Sequence, residues 1–219
     1  MAIPWQTVDR RETRDGALEL RRRGDDWLVT IGGRVLMNSR ESRSERALAE
    51  RACGAIAERP APRVLVGGLG MGITLRAALD VLPASAEVGV AELNPAIVEW
   101  CRGPLAALNG AACDDPRVEI RLEDVARTIE ASRGLDAILL DLYEGPHART
   151  PRRDPFYGSA AIHRTRAALA PCGVFAVWSE DPDEGFEARL RKARFEVVRH
   201  RPGRGGGRRH AVTVARRGA

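Results

Sequence analysis

The sequence predicts an α/β fold: a Rossmann-like sheet of seven strands, the last one antiparallel, covered on both faces and preceded by a short N-terminal β-meander. Three observations carry this. From residue 63 onward, short apolar runs alternate with segments of helical period, which implies a mostly parallel sheet between helices. The last two apolar runs, 195–199 and 210–215, are joined by a Gly/Arg-rich stretch with no helical pattern, so these two strands pair antiparallel. The first parallel strand breaks into four glycines, Gly67, Gly68, Gly70 and Gly72, just where a helix opens. That is the context a nucleoside- or phosphate-binding turn requires.

The elements follow in order. Residues 1–38 read as a small β-meander: Ala17 to Arg21 alternates, Gly24 to Asp26 turns, Trp27 to Ile31 alternates, and Gly32-Gly33 turns into Arg34–Met37. Ser39 to Arg59 reads as a helix on the 3.6-residue spacing of Ala47, Leu48, Arg51, Ala52, Ala55 and Ile56, stopped by Pro60 and Pro62. This divides the chain into a meander, 1–38, and a Rossmann-like domain, 39–219. In the latter, strand 63–67 leads to helix 72–82, and strand 86–92 to a helix opened by Asn94-Pro95, a good cap and first-turn pair. Strand 117–121 precedes helix 123–132, and Leu135–Asp141 is a buried strand. The loop 142–157 is long for such a fold, and long loops there are usually functional. Helix 159–170, strand 173–178 and helix 183–193 complete the pattern before the final pair.

The totals narrow the class. A chain of 219 residues with 44% hydrophobic and 30% charged residues is one large domain, or one domain with a small extension, built around a proper core. No apolar run of membrane-spanning length and no signal pattern occur, so a cytoplasmic protein is expected. Cys53, Cys101, Cys113 and Cys172 form no CxxC pair, so they read as reduced structural thiols and no metal is expected. The net charge of +5 rests on arginine, Lys192 being the only lysine, and no basic stripe interleaves with aromatics. A solvated surface is therefore favoured over nucleic-acid binding. The basic segment 199–210 reads as a hairpin loop rather than an RNA-binding Arg-Gly element.

The candidate site residues lie at strand ends, where such sheets place their ligands. Gly68, Gly70 and Gly72 are spaced G-x-G-x-G, unlike the G-x-G-x-x-G of dinucleotide sites, and no P-loop lysine follows. Glu92 ends the second parallel strand, 20 positions after Gly72, where a carboxylate can accept both ribose hydroxyls of a nucleoside. Asp124, after the third strand, can accept from an adenine amino group, or cap the following helix. Asp141 ends a buried apolar strand, where an acid is costly without a partner. With Glu144 it forms a candidate carboxylate cluster that would attract a cationic amine and take its proton. Tyr143, His147, Trp178 and Glu180 are candidate walls of the same crevice. His147 reads as solvated, Trp178 also fits plain packing, and Glu180-Asp181 also fits a cap for helix 183–193.

These motifs are Val64–Arg76 around the glycines, Val90–Val98 around Glu92, Asp136–Asp141, Pro155-Phe-Tyr-Gly158 and Leu169–Val174. Together, over residues 27 to 215, they resemble the spermidine synthase-like (polyamine aminopropyltransferase) branch of the class I S-adenosylmethionine-dependent methyltransferase superfamily. The resemblance implies a sulfonium nucleoside cofactor, S-adenosylmethionine or its decarboxylated form. Gly68, Gly70, Met71 and Gly72 would then lie at the cofactor, Glu92 at its ribose, Asp124 at its adenine, and Asp141 at the reacting centre. Two departures matter. Met71 stands where the polyamine enzymes carry an aspartate, which binds the free amine of the decarboxylated cofactor and repels the carboxylate of the ordinary one. Glu144 replaces the second acid of an Asp-x-x-Asp tract, and the helix around Ser44-Glu45 replaces a Tyr-His-Glu cluster. The expected activity is transfer of an alkyl group from the sulfonium to an amine, methyl slightly favoured. The alternatives are aminopropyl transfer to a polyamine and a non-catalytic cofactor-binding subunit. A homodimer is a further expectation, by analogy with the polyamine enzymes.

Overall fold

The computed structural model describes residues 3–40, 42–202 and 210–219, and its central strands are buried along nearly their whole length, as in a sheet covered on both faces. Strands β1 (Gln6–Thr13), β2 (Gly16–Arg23), β3 (Asp26–Ile31) and β4 (Arg34–Asn38) form an antiparallel sheet in sequence order. Helix α1 (Arg43–Gly54) leads to the main sheet. Its elements are β5 (Arg63–Gly67), α2 (Ile73–Val81), β6 (Glu87–Glu92), α3 (Pro95–Arg102), α4 (Ala106–Asn109), β7 (Val118–Leu122), α5 (Val125–Ala131), β8 (Leu135–Leu140), α6 (Ser159–Ala168), β9 (Leu169–Ser179), α7 (Glu184–Lys192), β10 (Phe195–His200) and β11 (Ala211–Arg217).

The seven main strands run in the order β10-β11-β9-β8-β5-β6-β7, and β11 pairs antiparallel with both its neighbours. This is the class I methyltransferase-like sheet expected. Every residue of β8 is buried. Val64 and Val66 of β5 face a core shared with α1, α2, α3 and the meander, while Leu65 faces a second core with Tyr157, Phe175 and Phe186. The order in which strands are added reverses at β5, whose parallel neighbours are β6 and β8. The crevice at the carboxyl ends of these strands is where such a fold binds ligands.

Four expectations need correction. The meander has an extra strand, β1, whose sequence QTVDRRET is mostly exposed and carries no apolar alternation. The helix expected over 39–59 spans only Arg43–Gly54: the Ser39 hydroxyl accepts from the Trp27 N–H at 2.9 Å, and residues 55–59 close in turns. The strand expected from residue 173 begins at Leu169, with an irregularity in its pairing to β8 between Leu135 and Ala137. The cap of α7 is Asp183, which accepts from the Phe186 N–H at 3.1 Å, and not Glu180 or Asp181. Asn94 caps α3 as expected, accepting from the Ala96 N–H at 3.0 Å, with Pro95 in the first turn. The Gly/Arg stretch 203–209 lies outside the described residues. No described helix is long and apolar enough to cross a membrane, and no group of described residues could hold a metal ion.

Candidate active site

The glycine turn is shaped by its own protein before any ligand is considered. Gly68 has φ +87°, and a Cβ there would lie 2.5 Å from the Asp141 carbonyl oxygen. Gly70 has φ +56°, and a Cβ there would lie 2.7 Å from Cε of Met37 in β4. Glycine adopts such backbone without strain and leaves room for these neighbours. The close approach inferred from the sequence is therefore, first, an approach of β8 and of the meander to the turn. The turn is braced from behind. The Leu69 N–H donates to Glu92 Oε2 at 2.9 Å. The Cys101 thiol donates to the Gly70 carbonyl at 3.2 Å, and Asn109 Nδ2 to the Met71 and Cys101 carbonyls at 3.4 and 3.0 Å. A hydrogen bond with Cys113, and then burial, push the Cys101 thiol far up, so it stays a neutral donor.

A cleft of about 550 Å³ opens between the turn and the meander. Gly68, Gly70, Glu92, Asp124, Asp141, Tyr143 and Glu144 all line it, as do Leu18, Val29 and Ile31 of the meander. Glu92 has a second bond, Oε1 accepting from the Asn94 N–H at 2.8 Å. Each carboxylate oxygen keeps a free acceptor position, so Glu92 can hold the loop and still receive a hydroxyl. Asp124 caps α5, Oδ1 accepting from the Ala126 N–H at 2.8 Å, while facing the same cleft. Among the described residues lining the cleft are six acids (Asp15, Glu92, Asp124, Asp141, Glu144, Asp154) and one arginine, Arg34. That lining suits a cation and repels a phosphate.

Asp141 sits at the junction of two cavities. Its backbone N–H donates to the Gly67 carbonyl at 2.9 Å, which locks it to the turn. Its Oδ2 accepts from the buried Thr74 hydroxyl at 2.5 Å. Burial pushes its carboxyl up to about 7, the negative charge of Glu45 adds to this, and the Thr74 hydroxyl opposes it. On the far side lies a chamber of about 50 Å³, walled by Met37, Met71, Ile73, Trp178, Glu45 and Asp141. A third hollow of about 240 Å³ holds Glu144, His147, Glu180 and Asp181. Tyr143 borders all three. It is 40% exposed, and the Arg34 guanidinium lies over its ring, 5.5 Å from the centroid.

The structure thus gathers seven of the sequence-predicted residues at the cleft and sets Met71, Gly72, Trp178, Glu180 and His147 apart from it; Gly72 packs against Asn109, where a Cβ would lie 2.9 Å from the Asn109 Cβ. Met71 faces the small chamber and does not line the large cleft. Trp178 shares that chamber, whereas Glu180 lies in the third hollow. His147 is exposed and makes only local bonds within its loop. Thr74, Met37 and Tyr157 are functional neighbours that sequence reasoning missed. Tyr157 could have been found from the Asp154-Pro-Phe-Tyr tract: Asp154 Oδ1 accepts from the N–H of both Phe156 and Tyr157 at 2.8 Å, a turn written into the sequence. The buried Tyr157 hydroxyl then donates to the Glu144 carbonyl at 3.0 Å and fixes the loop after Asp141.

The chain matches no family model. It is 28% identical over 165 residues to the polyamine aminopropyltransferase of Mycobacterium tuberculosis, covering 74% of this chain and 30% of that protein. It is 33% identical over 141 residues to the polyamine aminopropyltransferase of Prochlorococcus marinus, covering 63% of this chain and 45% of that protein. The chain therefore spans less than half the length of these curated relatives. The crystal structure of spermidine synthase from Thermotoga maritima superposes with a TM-score of 0.76 at 21% identity, covering 97% of this chain and 73% of that one.

Proposed function

We propose that this chain, a member of the spermidine synthase-like branch of the class I S-adenosylmethionine-dependent superfamily, transfers an aminopropyl group from the sulfonium of decarboxylated S-adenosylmethionine to a small amine. The relatives are named for aminopropyl transfer, and they back this reading over the methyl transfer slightly favoured from the sequence. The observation that carries it is Asp141: a carboxyl at the wall between an acid-lined nucleoside-sized cleft and a compartment large enough only for the reacting end of an acceptor. An open cleft with that carboxyl in its wall also speaks for an enzyme over a non-catalytic subunit.

The residues fit such a donor. Glu92 and Asp124 offer acceptor oxygens for hydroxyl and amino groups, Leu18, Val29 and Ile31 offer apolar wall, and the acidic lining favours a cation. When bound, the sulfonium supplies an electrophilic carbon and a neutral thioether leaving group. The protein's task is then proximity and proton removal. Asp141, with its carboxyl near 7, is part ionised at neutral pH and is matched to taking a proton from an ammonium. Thr74 holds that carboxyl in one orientation through its 2.5 Å bond.

Methyl transfer remains the second reading on one observation. The buried Met71 offers neither a carboxylate to hold the free amine of the decarboxylated donor nor a charge to repel the carboxylate of the intact one. Paired calorimetry with the two donors separates the readings. The decarboxylated form is expected to bind more tightly, and Met71→Asp to widen its advantage by about tenfold. Tighter binding of the intact form by the unmodified chain would overturn aminopropyl transfer.

A further inference from the structure

The small chamber has a second acid that the sequence did not place in it. Glu45 comes from the first turn of α1, and it lines the chamber with Asp141, Met71 and Trp178. Behind it runs a hydrogen-bonded line leading away from the chamber. The Ser44 hydroxyl lies 2.7 Å from Glu45 Oε2 and 3.1 Å from Nδ1 of His210. Ser44 is buried, while His210, the residue before β11, is part exposed and packs its ring edge-on to Trp178 at 5.2 Å. The line therefore connects two part-exposed groups, the Glu45 carboxylate and the His210 imidazole, through a buried hydroxyl.

We propose that Glu45 is the second carboxylate of the acceptor compartment, bracketing the acceptor amine with Asp141, and that Ser44 and His210 carry the released proton from Glu45 to solvent. This rests on the transfer reading above. An acceptor enters as a primary ammonium. It loses one proton to the carboxylate pair, and its nitrogen lone pair then forms the new N–C bond. The C–S bond breaks with its electron pair left on sulfur, and the product is a secondary ammonium. One proton must therefore leave per turnover. A protonated Glu45 can donate to Ser44 Oγ while the Ser44 hydroxyl donates to His210 Nδ1, so the proton moves outward without either side chain leaving its place.

The chamber of about 50 Å³, bounded by Met37, Met71, Ile73 and the Trp178 ring, has room for an unbranched –CH₂–NH₃⁺ head. A pair of acids can hold one ammonium without both being ionised beforehand, because the first charge raises the second carboxyl. Titratable groups near the pair include Tyr143, which borders the chamber, Tyr157 from the loop after β8, which stays neutral because burial raises its phenol, and His210 through Ser44.

The test is nuclear magnetic resonance titration of the Asp141 carboxyl and the His210 imidazole in the full chain with no donor or acceptor present, together with pH profiles of turnover. Glu45→Gln is expected to lower the midpoint of Asp141 by about one pH unit. The His210 imidazole signal is expected to respond to Glu45→Gln in the parent chain and to lose that response once Ser44→Ala is present. In turnover, Ser44→Ala and His210→Gln are expected to lower kcat by about tenfold with the donor KM unchanged. Glu45→Asp is expected to restore part of what Glu45→Gln loses. An Asp141 midpoint indifferent to Glu45→Gln, in variants that melt like the parent, would overturn the pairing. A kcat and pH profile indifferent to both Ser44→Ala and His210→Gln would overturn the relay. Failure of the donor reading would show separately, as absent binding in calorimetry.

Discussion

Asp141→Asn is expected to keep donor binding, lose about 10³-fold in turnover, and make the folded chain more stable above pH 7. The first two effects follow from position: Asp141 borders the donor cleft and the acceptor chamber, and asparagine keeps its shape but cannot take a proton. The third follows from the sign of its proton affinity. Its carboxyl is raised from 3.8 to about 7 in the folded chain. Between these values the folded chain holds a proton that the unfolded chain has released, so stability falls as pH rises through this window. The full cost, on the order of 2–4 kcal/mol, is present above pH 7 and absent below about pH 4. Asparagine removes the ionisation and with it the cost. Urea melts of both chains at pH 4 and pH 8 check this. The gap should open with pH in favour of the variant, and a gap that does not change with pH would show that the carboxyl is not strained by ionisation.

Glu92→Ala is expected to cost at least about 100-fold in donor affinity. The side chain has two tasks. It accepts from the Leu69 and Asn94 N–H groups at 2.9 and 2.8 Å, which sets the glycine turn against the start of α3. It also presents its remaining acceptor positions to the cleft. Truncation leaves two backbone donors without their partner, each worth about 1–3 kcal/mol, and removes the charge-assisted bonds a ribose would make. Glu92→Gln keeps one acceptor oxygen and should fall between. Calorimetry reads the affinity, and thermal melts without donor read the structural share. Near-parent affinity in Glu92→Ala would remove Glu92 from the binding site.

The parallel sheet and the donor side of the site were legible in the sequence because both are local. A strand, its glycine turn and the acid ending the next strand are read from spacing alone, and Glu92, Asp124 and Asp141 all fell where parallel strands end. What was not legible depends on packing across long separations. Strand β1 is polar and mostly exposed, so pairing with β2, and not an apolar period, makes it a strand. Glu45 reaches Asp141 only because α1 packs against β8, β9 and β11, an arrangement set by the strand order. The same order carries Trp178 into the chamber with Met71 and leaves Glu180, two residues later, on the far side of Tyr143. A strand reverses its side chains at every residue, so a loop acid just past its end has no direction that sequence can assign. Met71 shows the same limit: the turn it belongs to was plain, but the cavity it faces was not.

The most direct test of the central claim is product analysis after incubating the chain with decarboxylated S-adenosylmethionine and a short primary diamine. The expected products are 5′-methylthioadenosine and the aminopropylated amine in equal amounts, with about 10³-fold less of both from Asp141→Asn. Methylated amine formed from intact S-adenosylmethionine, with no aminopropyl product from the decarboxylated donor, would contradict it.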